Sequence, residues 1–159
     1  MKQKIRKNCD TLASLGIGVC LLGIWSVAKS TMYYILNFSE FNKFLISQDD
    51  SPILYYIIAV MTMIAFLAVH LYIGLAARAV GTRGKNHIVY AFLSILLAVI
   101  YIISIPEELD ISEQPGQTIA DAVASMITDA TTAIILLHTA YTSFKLRLLK
   151  KQTKKQEAA

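Results

Sequence analysis

Apolar residues run along this chain in four long blocks, separated by short stretches where glycine, proline and charge collect. The blocks extend from about Thr11 to Leu36, Pro52 to Ala79, His87 to Ile105 and Thr118 to Phe144. Each reaches or approaches the roughly 20 residues that a helix rising 1.5 Å per residue needs to cross a hydrocarbon core of about 30 Å. The third block runs for 19 residues without Asp, Glu, Lys or Arg, too long for an ordinary buried strand. The pattern predicts an all-α integral membrane protein. Four transmembrane helices, at about 11–36, 52–79, 87–105 and 118–144, form a single domain over 1–159, and a basic tail over 145–159 has disordered last residues.

The breaks carry their own signals. Ser51 and Pro52 suit an N-cap and first helical position, and the two glycines of VGTRGKN, from Val80 to Asn86, are expected to end the second span. Asn86 is the cap expected for the third span, which Pro106 should end, and a Pro115-Gly116 turn precedes the fourth. Thr118 stands three residues before Asp121 in a capping-box spacing, with Asp in the place usually held by Glu. In the first loop, Asn37 to Ser51, the residues Phe38, Phe41, Phe44 and Leu45 share one face of a short interfacial helix. Tyr33, Tyr34, Tyr55 and Tyr56 flank it as an aromatic belt.

Composition agrees with this reading. Of 159 residues 55% are hydrophobic and 16% charged, with a mean hydropathy of +0.53, where soluble domains carry about 25% charged residues. The basic start followed by an apolar run resembles a signal peptide, but the run continues past Ala28 to Leu36 and is expected to stay as an uncleaved anchor. Cys9 and Cys20, about 16 Å apart along one helix, are read as free thiols.

Charge sets the expected topology. Of the 15 Lys and Arg, 13 lie in the N-terminus, the middle loop and the tail, while seven of the 11 acids lie in the other two loops. The positive-inside rule then places both termini in the cytoplasm and makes the bundle up-down-up-down. A bacterial inner membrane is the expected location. The net charge of +4 is a sum of segregated ends, so it points to anionic lipids at the cytoplasmic face and not to nucleic acid.

Two spans carry small residues at helical spacing. In the first, Ala13, Gly16, Cys20, Gly23, Val27 and Ser30 form a seam, and in the fourth Ala120, Ala124, Ala130 and Ala133 repeat the theme. Such faces let helices approach closely in lipid. A contact between the first and fourth spans is expected from them.

The candidate chemistry centres on the fourth span, the most polar of the four. Asp129 falls near its middle with Ser125, Thr128 and Thr132 nearby. An intramembrane carboxylate is a candidate ion or proton site by default. Lys29 lies at a depth between Asp121 and Asp129, where it can pair with either or snorkel outward. His70 and His138, at similar depth on different spans, are weaker candidates for a shared titrating site. Asp121 is explained by capping.

No catalytic signature such as HExxH, GxSxG, a P-loop or CxxC occurs, and no resident cofactor or metal is expected. The reading that follows is a non-enzymatic membrane protein acting as a packing or accessory subunit, with itself or a larger membrane partner. The alternative is a small proton- or ion-coupled transporter using Asp129.

Overall fold

A computed structural model of the chain describes residues 2–47, 52–84, 88–108 and 118–157. These residues are almost entirely helical, in the order α1 (Lys2–Leu36), α2 (Phe38–Ser47), α3 (Pro52–Arg83), α4 (Val89–Glu108) and α5 (Ile119–Glu157). Helix is the form that an apolar chain must take in lipid, because every backbone N–H and C=O has to find its partner within the segment. Four of the helices, all but α2, are long and apolar enough to cross a membrane.

Helix boundaries depart from the sequence reading in four places. The first helix starts at Lys2, because Ile5, Cys9 and Leu12 continue the apolar spacing outward and pack on the core. Gly81 does not end α3; it lies inside the helix against Cys9 and Ala13, and the helix ends before Gly84, which alone of the two adopts a left-handed φ of 67°. Pro106 does not terminate α4, which runs on to Glu108. A proline this close to the end removes one hydrogen bond without unwinding the helix. The basic tail is helical to Glu157, with Leu146 buried and Leu149, Lys150 and Thr153 half-buried at helical spacing along one side.

The expected short helix after the first span is present as α2, although the side chains of Phe41, Phe44 and Leu45 lie outside the described ones. Ser51, Asn86, His87, the Pro115-Gly116 turn and the last two residues also lie outside the described residues.

The helices associate as two tight pairs. α1 packs most extensively on α3, and α4 on α5, while α1 also meets α5 and α3 meets α4 more sparsely. The small-residue seam of α1 is therefore filled chiefly by α3, the second span, while the expected contact of the first span with the fourth is also formed, more sparsely. Gly16 of α1 opposes Gly74 and Arg78, Gly23 opposes His70, and Gly81 of α3 opposes Cys9 and Ala13. Numbers rise on one helix as they fall on the other, so the two run in opposite directions. α3 supplies its own small face, with Gly74, Ala77 and Gly81, and this complementarity decides the partner.

The core between the pairs is built from Leu12, Val19, Ile73, Ala77, Tyr90, Ala98, Leu136 and Leu146, among others. The outer surface is apolar too, with Trp25, Ile57, Met61, Ile64, Leu96, Ile103, Ile134 and others exposed. That is the surface a lipid-facing protein presents.

Candidate functional site: polar contacts between the helices

The apolar frame encloses a small set of polar side chains that join one helix to another. Asp129 on α5 is 7% exposed. Its Oδ1 lies 3.7 Å from Lys29 Nζ on α1. Thus the two charges face each other as the sequence allowed. The lysine does not simply extend outward, although its side chain keeps 29% exposure. A spacing of 3.7 Å is an ion pair longer than a good N–H···O hydrogen bond. Pairing lowers the cost of holding a carboxylate at this depth, which for an isolated charge amounts to several kcal/mol.

The neighbouring hydroxyls are largely committed to their own helix. Thr128 donates to the carbonyl of Ala124 at 2.9 Å and Thr132 to that of Thr128 at 2.8 Å. Only their lone pairs remain for another group, so they can solvate a cation but not donate to the carboxylate. Ser125, one turn before Asp129, is half-buried.

Histidine provides the second contact. His70 on α3 is 1% exposed and uses both ring nitrogens: Nδ1 is 2.8 Å from the carbonyl of Phe66, and Nε2 is 3.1 Å from Tyr101 Oη on α4. A carbonyl only accepts, so Nδ1 carries a proton, and in the neutral ring the tyrosine hydroxyl donates to Nε2. The weaker candidate, a shared site with His138, is not assembled, because both nitrogens of His70 are occupied and His138 lies on an exposed face of α5. Phe66 and Tyr101 pack edge-to-face with centroids 6.1 Å apart, which encloses the histidine.

A third contact joins α4 to α5. Ser143 donates to the carbonyl of Thr139 at 2.6 Å, and so accepts from Tyr90 Oη at 2.8 Å. Ser94, fully buried on α4, donates to the carbonyl of Tyr90 at 2.7 Å. Tyr90, Ser94 and Tyr101 do not stand out in the sequence, because the span that carries them is nearly all apolar. Their spacing of four and seven residues on one helix face was the available signal.

Asp121 sits apart from these contacts. Its Oδ2 accepts from the Thr118 backbone N–H at 3.2 Å and from the Thr118 hydroxyl at 2.6 Å, while its own N–H donates to Thr118 Oγ1 at 3.2 Å. This reciprocal arrangement is a capping box built with aspartate, and it satisfies orphan donors at the start of α5.

Four helices of this length and hydropathy define an integral membrane protein. Compared with protein-family models, curated proteins and solved structures, the chain matches none.

Proposed function

We propose that this is a non-enzymatic membrane protein that acts by packing against other transmembrane helices, as an accessory subunit or as an oligomer of its own. The observation that carries this reading is the outer half of α3. From Ile53 to Ala65 not one residue is buried, whereas the inner half buries His70, Ile73, Gly74, Ala77 and Val80. α3 and α4 are joined where His70 and Phe66 meet Tyr101. Beyond that level Ile57, Ile58, Met61 and Ile64 on α3, and Ile102 and Ile103 on α4, are exposed. Two helices exposed side by side in this way offer a seat for a further helix.

A photo-crosslinking residue at Ile57 or Met61 tests this in native membranes. The expected result is a discrete protein adduct, to a second copy or to another subunit, that is missing when the residue replaces Val89. Lipid adducts alone at all three positions would refute it.

The second reading, a proton- or ion-coupled carrier, is favoured by the loose contact of Lys29 with Asp129. A carboxylate whose partner is too distant for a strong hydrogen bond can exchange that partner for a proton or cation. In vesicles, Asp129→Asn should then abolish coupled flux while the protein stays folded. Intact flux in that variant removes the reading.

For orientation we place the helices as an up-down-up-down bundle with both termini cytoplasmic, in a bacterial inner membrane. The support is the gathering of 13 of 15 Lys and Arg at one end. Phosphatase and fluorescent-protein fusions at each terminus read it out directly.

A further inference from the structure

The basic end of α1 carries a shallow, open furrow bordered by α1 alone, whose lining includes Arg6, Lys7, Asp10, Thr11, Ser14 and Leu15. These positions fall on one helix face. One turn further along the same face, Gly18 continues it, and a Cβ built there would meet nothing within 4 Å. We infer that this furrow is a binding site for one anionic phospholipid, with Arg6 and Lys7 on its phosphate and the Leu15–Gly18 surface against an acyl chain.

Depth supports the assignment. The apolar run of α1 begins at Thr11, so Arg6 and Lys7 stand about 6–8 Å beyond it by helix rise. Each headgroup layer of a bilayer is about 5–7 Å thick, which puts both cations at phosphate level. Both are exposed, and neither forms an ion pair among the described residues. Asp10 on the same face weakens the positive field, and it suits a headgroup that carries a hydrogen-bond donor beside its phosphate. The Thr11 hydroxyl is committed to the carbonyl of Lys7 at 2.9 Å. That leaves the exposed Ser14 as the hydroxyl available to a lipid ester.

Continuity with an apolar surface separates a lipid from a soluble polyanion. A nucleic acid or acidic peptide would use the cations and leave the Leu15–Gly18 surface untouched. A phospholipid uses both.

Native mass spectrometry of the full chain, with phosphatidylglycerol or phosphatidylcholine of matched acyl chains, tests the site. One retained phosphatidylglycerol per protein is expected, favoured over phosphatidylcholine by on the order of tenfold. Arg6→Gln with Lys7→Gln should bring retention down to the phosphatidylcholine level, and Gly18→Leu should lower it while leaving every charge in place. Lys2→Gln with Lys4→Gln removes the same charge outside the furrow and should leave retention as in the wild type. Equal retention of the two lipids, loss in the Lys2/Lys4 variant matching that in the Arg6/Lys7 variant, no effect of Gly18→Leu, or displacement by inorganic phosphate would each overturn the assignment.

Discussion

Gly16 of α1 and Gly74 of α3 pack backbone to backbone, each presenting its Cα to the carbonyl oxygen of the other. A Cβ on Gly74 would lie 2.5 Å from the Gly16 oxygen, and one on Gly16 would lie 2.8 Å from the Arg78 nitrogen while pressing on the Gly74 oxygen. Carbonyl groups held by their own helices cannot swing aside. A methyl group at either position therefore has to push the helices apart.

Gly16→Ala and Gly74→Ala should each destabilise the fold by about 1–3 kcal/mol through overpacking, even though alanine favours helix by about 1 kcal/mol over glycine. Gly18→Ala is the matched control, because its added carbon meets open space, and it should be neutral or stabilising. Unfolding in mixed detergent micelles measures all three. Equal effects at Gly16 and Gly18 would mean that close approach is not what holds α1 to α3.

Unequal exposure of the ion-paired residues predicts unequal variants. Lys29→Met takes the cation from an aspartate whose side chain is 9% exposed, whereas Asp129→Asn takes the carboxylate from a lysine that is 29% exposed and can reach toward water. The lysine variant should cost more, by on the order of 1 kcal/mol. The double variant should recover part of that loss. A double-mutant cycle reads the coupling, and strict additivity would show that the pair contributes nothing.

Tyr101→Phe removes the only donor to His70 Nε2 among the described contacts and leaves a buried acceptor unmet. The expected cost is about 0.6–1.7 kcal/mol, the range for hydrogen bonds between membrane helices. Nitrogen-15 solid-state NMR should find His70 neutral with its proton on Nδ1, as the carbonyl of Phe66 requires. A proton on Nε2 instead would reverse the donor assignment at Tyr101.

The aspartate capping box predicts local effects at the start of α5. Thr118→Ala and Asp121→Ala should each increase amide hydrogen exchange over the first turn from Ile119, with little change near Ala133. Asp121→Glu restores the more usual capping residue and should protect the turn again.

Legibility in the sequence followed the range of the interaction. Thr118 and Asp121 are three residues apart, and their contact was readable because helix geometry alone brings them together. The short helix at Phe38 was readable for the same reason. By contrast, the α1 seam was visible while its partner was not, since several spans carry small residues and only their depth in the assembled bundle selects α3. His70 and His138 matched in depth, but depth does not specify facing, and the structure turns His138 outward. Tyr101, the partner of His70, was hidden in a helix that is nearly all apolar.

Helix existence, span number and the clustering of basic residues at the chain ends and around the end of α3 were determined by the sequence alone, because backbone groups in lipid must pair within their own segment and because charge resists burial locally. Which faces meet was decided only by the tertiary structure. In water an apolar stripe marks the side of a helix that turns inward, but lipid is as apolar as a neighbouring helix. Leu136 in the core and Ile134 on the surface are therefore chemically alike, and only the fit of Gly16 on Gly74, of Tyr101 on His70 and of Lys29 on Asp129 tells inside from outside.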